Sequence, residues 1–171
     1  MNDIDNSKFD ILYIKEQLSI KKHIVITGPI GSGKSTLLKE LRLSLGLKED
    51  TPGIVTWNVK GEAVYMCSTL ESEIVTIGIF NPESLSVRNR MKPVTEGFNT
   101  RGVSWLNDFI NSDSKWVTID EVGFLEGECP GYIEKLSDLF DKKRVMAAIR
   151  KQDIKHINDI LSREDVFVIN L

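Results

Sequence analysis

The residues with the clearest chemical potential form one run near the start of the chain. Gly28-Pro29-Ile30-Gly31-Ser32-Gly33-Lys34-Ser35 matches the pattern G-x-x-x-x-G-K-[ST] at every fixed position. Small residues let the backbone N–H groups of such a loop surround an anion, and the following helix adds its positive dipole end. We therefore predict that a nucleotide's phosphates bind to nine residues, which are Gly28, Pro29, Ile30, Gly31, Ser32, Gly33, Lys34, Ser35 and Thr36.

Two residues of this loop carry further predicted roles. Lys34 can reach the β- and γ-phosphates, so it is a candidate catalytic residue as well as a binding residue. The hydroxyl of Ser35 can coordinate Mg²⁺, which makes it the first predicted metal ligand. The cofactor that this chemistry requires is Mg²⁺, and the predicted substrates are nucleoside triphosphates.

An acidic pair lies at the end of the second core strand. Asp120 and Glu121 come directly after the apolar run Trp116-Val117-Thr118-Ile119. The carboxyl ends of parallel strands line the ligand crevice of an open sheet. We predict that Asp120 holds Mg²⁺, partly through water, and that Glu121 orients or deprotonates a water molecule in line with the γ-phosphate.

An arginine is expected to stabilise the negative charge that develops on the γ-phosphoryl group. Arg150 follows a strand predicted at 145–149 and is the catalytic candidate. The alternatives are Arg88, Arg90 and Arg101, which surround a basic loop. Each could contact the phosphates or could simply be a charged side chain in solvent.

Several other side chains that could do chemistry are predicted to be structural or exposed to solvent. His23 opens a buried strand and His156 lies on an apolar helix, so neither is expected to be catalytic. Trp57 could contact a base, but packing is the preferred role for it as for the other tryptophans. Cys67 and Cys129 follow no metal-ligand spacing and are predicted to be free thiols.

The elements that must position these residues alternate along the chain. Helices are predicted at 7–18, with Ser7 as N-cap, and at 33–45, 100–111, 132–140 and 153–161. Strands are predicted at 23–27, 54–59, 63–68, 74–80, 115–120, 145–149 and 166–171, and a loop at 81–95. This order predicts a three-layer α/β P-loop fold with a mostly parallel central sheet and an antiparallel meander inserted at 51–80. We expect one domain over residues 1–171, in which 1–22 form an N-terminal extension.

Composition limits the class of protein. The 22 basic and 25 acidic residues give a net charge of −3, which argues against a broad nucleic-acid-binding surface. The polar N-terminus does not resemble a signal peptide, and no apolar run approaches the roughly 20 residues that span a bilayer. We therefore expect a cytoplasmic protein without a membrane segment, and a monomer, while the sequence identifies no protein partner.

From about Ile24 to Leu171, the chain resembles the cancer-related nucleoside-triphosphatase family of small P-loop proteins. The similarity lies in the phosphate loop, in Gly53-Ile54-Val55-Thr56, and in Asp120-Glu121-Val122-Gly123-Phe124-Leu125-Glu126, which is similar to the family's D-E-[IV]-G-x-x-E signature. The hairpin departs from the family's G-F-x-T-E-E-V-R, because here Trp57-Asn58 replaces the acidic pair and Lys60 replaces the arginine. The resemblance implies an AAA-like sheet and slow, base-tolerant hydrolysis of ATP, GTP and other triphosphates to diphosphates.

Three functional hypotheses follow from the sequence. The first is a Mg²⁺-dependent nucleoside-triphosphatase with Glu121 as the base. The second is a nucleotide or nucleoside kinase that closes the basic segment 88–101 as a lid. The third is a nucleotide-gated binding module, in which the meander at 51–80 and the N-terminal helix form the partner surface. The sequence contains no motif for one base, so base preference stays open.

Overall fold

Eight strands form one sheet in the computed structural model, which describes residues 10–83 and 90–171. In chain order the strands are β1 (His23–Gly28), β2 (Gly53–Val59), β3 (Ala63–Ser68), β4 (Ile74–Phe80), β5 (Met91–Pro93), β6 (Trp116–Val122), β7 (Arg144–Arg150) and β8 (Val166–Asn170). Across the sheet the order is β5-β4-β3-β2-β6-β7-β1-β8. The strands from β2 through β6, β7 and β1 to β8 pair in parallel, whereas β2, β3, β4 and β5 pair antiparallel.

Helices cover both faces of the parallel strands. They are α1 (Ile11–Ile20), α2 (Lys34–Ser44), the single turn α3 (Thr95–Gly97), α4 (Val103–Asn111), α5 (Pro130–Lys142) and α6 (Lys155–Leu161). A π-helical turn at Phe98–Gly102 joins α3 to α4, and a 3₁₀ turn at Leu125–Glu128 precedes α5. The predicted three-layer α/β fold, with its largely parallel sheet and antiparallel part, is confirmed.

The two layers of helices create two hydrophobic cores, one on each face of the sheet. One core is formed with α4, α5 and α6, which contribute Trp105, Leu136 and Ile157 respectively. The other contains α1 and α2 through Ile14 and Leu38. Strand β1 serves both cores because its alternate residues face opposite ways, and all six of its residues are buried.

The antiparallel strands agree with their predicted bounds, but the segment after them does not. The predicted loop at 81–95 contains β5, which pairs with β4, and the helix predicted at 100–111 begins at Thr95. Strand β6 also continues to Val122 instead of ending at Asp120. Glu121, predicted just after the strand, therefore lies within the last residues of β6, as Asp120 does.

The first helix begins later than predicted. The predicted N-cap, Ser7, lies outside the described residues, and Asp10 occupies the N-cap of α1. Its Oδ1 accepts a 2.8 Å hydrogen bond from the N–H of Leu12, which satisfies one of the free donors of the first turn.

Two smaller observations bear on the sequence-based predictions. None of the helices within 10–83 and 90–171 has the length and apolar character needed to cross a bilayer. Cys67 and Cys129 are both free thiols, as predicted.

Candidate functional site

The loop between β1 and α2 forms one wall of the site. Gly31 and Gly33 have φ angles of 77° and 91°, a left-handed conformation that glycine adopts without steric cost. The N–H of Ser32 donates to the carbonyl oxygen of Pro29 at 3.3 Å, which closes the turn. Since α2 begins at Lys34, its first N–H groups have no intrahelical acceptor and are directed into the loop. This arrangement can hold an anion.

The side chain of Lys34 contacts the backbone at the start of the loop. Its side chain is buried, and its Nζ donates to the carbonyl oxygens of Gly28 at 3.1 Å and Pro29 at 2.7 Å. Burial lowers the pKa of Lys34, and the negative charge of Glu121 opposes that shift. The ammonium group is thus held beside the loop by acceptors that phosphate oxygens could replace.

Asp120 joins β6 to the phosphate loop. Its Oδ1 accepts a 2.7 Å hydrogen bond from Oγ of Ser35, and its backbone carbonyl accepts one from Oγ1 of Thr56 at 2.9 Å. Burial raises the pKa of Asp120, while the hydrogen bond from Ser35 lowers it. Helix α2 therefore holds the carboxylate of Asp120 through Ser35, and strand β2 holds its backbone through Thr56.

The donor set at this point fits Mg²⁺. Carboxylate and hydroxyl oxygens are the hard ligands that Mg²⁺ prefers, and the ion usually keeps several waters and binds substrate phosphates as well. Across 10–83 and 90–171, no group of three His, Cys, Asp or Glu residues could hold a metal by itself. Ser35 and Asp120 match a site that is completed by phosphate oxygens and water.

Glu121 leaves the regular alternation of β6. Its φ is 82°, and the register with β7 shifts there, because Asp120 pairs with Ala148 while Val122 pairs with Ile149. Such a bulge gives one strand an extra residue and changes the direction of its side chain. The two consecutive carboxylates consequently have different directions, although both lie close enough to Lys34 to oppose the lowering of its pKa.

Arg150 binds Glu121 and lies on the strand next to the start of the phosphate loop. Its Nε donates to Oε1 of Glu121 in a half-buried ion pair. Arg150 is the last residue of β7 and lies opposite Gly28 in the parallel register of β7 and β1. The backbone of Arg150 therefore lies beside the first residue of the loop, while its side chain binds the acidic end of β6.

Comparison with known proteins decides the family. The model of the family described as NTPase matches residues 23–171. The chain belongs to this NTPase family. The nucleoside-triphosphatase THEP1 of Archaeoglobus fulgidus is 26% identical to it over 150 residues, which are 86% of this chain and 88% of that protein.

Solved structures share the fold of this NTPase-family chain. The crystal structure of THEP1 from the hyperthermophile Aquifex aeolicus matches with a TM-score of 0.70 and 21% identity, over 87% of this chain and 89% of the other. The solution structure of a human cancer-related nucleoside triphosphatase matches with a TM-score of 0.64 and 20% identity, over 88% of each chain. The predicted family resemblance is confirmed.

The alternative arginines lie in different surroundings from Arg150. Arg101 forms ion pairs with Glu71 and Glu73, and Arg90 is exposed just before β5. Arg88 lies outside the described residues. Of the candidate arginines that lie within residues 10–83 and 90–171, Arg150 is the one in contact with the acidic pair, through Glu121.

The aromatic and histidine candidates have structural contacts. Trp57 stacks on Tyr65 with ring centroids 5.8 Å apart, which agrees with a packing role. His23 is buried, and its Nδ1 accepts a 3.1 Å hydrogen bond from the N–H of Val145. His156 is also buried, and its Nε2 lies 2.8 Å from the carbonyl oxygen of Gly123.

Sequence reasoning missed one acidic residue of the site. Glu126 is buried, and its Oε2 accepts a hydrogen bond from the N–H of Gly123 at 3.0 Å. Together with Glu121 and Arg150 it lines a small cleft at the end of β6. The signal was present, because Glu126 is the final residue of the D-E-[IV]-G-x-x-E signature, but that pattern alone gives it no chemical role.

Proposed function

We propose that this protein hydrolyses nucleoside triphosphates to nucleoside diphosphates and phosphate, that it requires Mg²⁺, and that it tolerates different bases. One observation carries the proposal, namely that two consecutive carboxylates near Lys34 have separate partners. Asp120 bonds to Ser35 of the phosphate loop, whereas the bulge turns Glu121 towards Arg150. The first carboxylate suits a metal ion, and the second is available to a water molecule.

Binding would depend on the loop and on Lys34. The free N–H groups at the start of α2 and within the loop would surround the β-phosphate. Lys34 would exchange its carbonyl acceptors on Gly28 and Pro29 for oxygens of the β- and γ-phosphates. Ser35 and Asp120 would hold Mg²⁺, which when bound neutralises charge on the phosphate oxygens.

Hydrolysis would use Glu121 as the base. The carboxylate accepts a proton from water as the water oxygen bonds to the γ-phosphorus, and the bond from that phosphorus to the bridging oxygen breaks. The electron pair of the broken bond leaves with the diphosphate. Arg150 has five N–H donors, so it can bind a γ-phosphate oxygen while its Nε remains on Glu121.

Base tolerance follows from the part of the substrate that these residues would bind. The proposed roles of Lys34, Ser35, Asp120, Glu121 and Arg150 all concern the triphosphate, its metal ion or the attacking water. Every nucleoside triphosphate presents these same groups. Similar turnover of purine and pyrimidine nucleotides is therefore expected.

The test compares phosphate release from ATP, GTP, CTP and UTP, with Mg²⁺ and with EDTA, in the wild type and in Glu121→Gln. We expect the variant to bind nucleotide and to lose about 10²- to 10⁴-fold in kcat, the usual contribution of a general base. Glu128→Gln is the matched control, because Glu128 is exposed on the adjoining 3₁₀ turn.

Two outcomes would contradict the proposal in different ways. Wild-type turnover by Glu121→Gln would remove Glu121 as the base while leaving hydrolysis in place. A wild type that binds all four nucleotides but releases no phosphate would overturn the hydrolase function itself, and adding nucleoside or nucleotide acceptors would then test for a kinase.

A further inference from the structure

Gly123 lies two residues after the proposed base, and buried side chains bind both its N–H and its carbonyl group. The N–H donates to Oε2 of Glu126 at 3.0 Å. The carbonyl oxygen lies 2.8 Å from Nε2 of His156, and because a carbonyl can only accept, Nε2 carries the proton. Glu126 is 4% exposed and His156 is 6% exposed. The backbone at Gly123 is thus held from two sides, by the 3₁₀ turn and by α6.

The side chain of Arg150 lies directly against this backbone. A Cβ at Gly123 would be 3.2 Å from Cδ of Arg150 and 3.6 Å from its Nε. That Nε is the atom that donates to Glu121. The side chain of Arg150 therefore packs against Gly123 where it binds the proposed base. A shift of the Gly123 backbone would move the guanidinium group.

The chemistry of Glu126 fits a supporting role. Burial raises the pKa of this carboxyl to about 8, although backbone N–H donors oppose the shift. At pH 7 the group is therefore mostly neutral. A neutral carboxyl can accept the bond from Gly123 without competing with Glu121 for the positive charge of Arg150.

We propose that Glu126 and His156 are positioning residues, which fix the backbone of Gly123 and thereby hold Arg150 against Glu121. The catalytic consequence rests on the hydrolase function proposed above. The positioning itself is a property of the protein without nucleotide, so it can be measured whether or not the protein hydrolyses anything.

The first experiment measures kcat and the Kd for ATP in Glu126→Ala and Glu126→Gln. Loss of the contact in the alanine variant should lower kcat on the order of 10- to 100-fold, since small misplacements of catalytic groups have effects of this size. The Kd for ATP should stay within about twofold, because the phosphate loop is untouched. The glutamine variant should recover most of the activity, since its amide oxygen can still accept from Gly123. Glu128→Ala is the control on the same turn.

A double-mutant cycle tests whether Glu126 acts through Arg150. If it does, adding Glu126→Ala to Arg150→Ala should change kcat by less than about twofold, because the group that it positions is already absent. Losses that multiply in the double variant would overturn the inference. So would a Glu126→Ala variant with the kcat of Glu128→Ala.

Nuclear magnetic resonance of the nucleotide-free protein gives a readout independent of turnover. The Nε–H of Arg150 should give a slowly exchanging signal in the wild type and in Glu126→Gln, and the signal should shift or broaden in Glu126→Ala. If Glu126→Ala does not fold, His156→Phe removes the other contact with Gly123 and should have the same effect. An unchanged Arg150 signal would overturn the positioning role even in an active enzyme. If the protein shows the expected Arg150 signals but the wild type has no turnover, the positioning role stands and only the hydrolase function is contradicted.

Discussion

Oγ of Ser35 donates a 2.7 Å hydrogen bond to Oδ1 of Asp120, and this contact joins α2 to β6 across 85 residues of the chain. Thr56 adds a second connection, from β2 to the backbone of Asp120. Both oxygens that would face Mg²⁺ are therefore fixed in the protein without nucleotide. Polar groups that are already oriented need little reorganisation when charge develops beside them.

Replacement of Arg150 should lower turnover much more than nucleotide affinity. Arg150→Ala removes the guanidinium group beside Glu121, and we expect kcat to fall about 10²-fold, as for other donors that stabilise a transition state. Arg150→Lys should restore little, because an ammonium group lacks the Nε that bonds to Glu121. Single-turnover kinetics with separately measured Kd values test this, and Lys151→Ala is the control, since Lys151 is exposed at the next position. Equal kcat values for the two alanine variants would contradict the role.

A methyl group at Gly123 should disturb the same arginine. In Gly123→Ala the new Cβ would lie 3.2 Å from Cδ of Arg150 and 3.5 Å from Oε1 of Gln152, so the arginine must shift. We expect kcat to fall about 10-fold with an unchanged Kd for ATP. Gly127→Ala is the matched control, because no atom lies within 4 Å of the Cβ that it would add. If both variants keep wild-type kcat, contact with Gly123 does not position Arg150.

Acid should destabilise the protein through His23. Burial lowers the pKa of His23 to about 4, and its Nδ1 already accepts from the N–H of Val145. Between about pH 6.5 and pH 4 the unfolded chain therefore binds a proton that the folded protein does not. The free energy of unfolding should fall as pH falls through this window, by on the order of 3 kcal/mol in total.

Urea unfolding measured across this pH range tests the His23 prediction. His23→Asn is the comparison, because its amide oxygen can accept from Val145 and does not titrate. The variant should lose less stability between pH 6.5 and pH 4 than the wild type does. If the two proteins lose the same amount, other groups cause the acid sensitivity.

Arg101 should contribute to stability and not to turnover. It pairs with Glu71 and Glu73 on the segment between β3 and β4, and Nε1 of Trp105 donates to Glu71 at 3.0 Å. Arg101→Gln should lower the free energy of unfolding by about 1 kcal/mol, the scale of partly exposed ion pairs and hydrogen bonds. Thermal unfolding and phosphate release measure the two effects, with Arg90→Gln as an exposed control. A large loss of kcat in Arg101→Gln would restore the alternative in which Arg101 contacts phosphates.

Local sequence was sufficient for most of the fold. The phosphate loop has a fixed motif, and strands β2, β3 and β4 are runs rich in β-branched and other apolar residues between turns, so their limits could be predicted closely. The helical start at Thr95 could not, because its cause is tertiary. Gly97 lies so close to β4 that a Cβ there would be 2.5 Å from the carbonyl oxygen of Thr76. Glycine fits this close contact because it has no side chain. Packing against β4 therefore favours a glycine here, although glycine has a low intrinsic helix propensity.

The site was predictable in composition but not in detail. Asp120 and Glu121 could be placed at a strand end from the apolar run before them, and Arg150 in the same way. The bulge that separates the two carboxylates depends on the register of β6 against β7, which no local pattern specifies. Glu126 and His156 both contact the backbone of Gly123. A contact with the backbone requires no particular partner side chain, so the spacing of residue types does not predict it.

The left-handed backbone at Glu121 sets conformational stability against the proposed catalytic function at one position. Only glycine adopts a φ of 82° without steric cost, so a side chain there is expected to cost about 1 kcal/mol. Glu121→Gly and Glu121→Ala both lose the carboxylate, but only the first relieves the strain. The glycine variant should therefore be the more stable of the two, and the difference in their unfolding free energies measures the cost of keeping a side chain in this left-handed conformation.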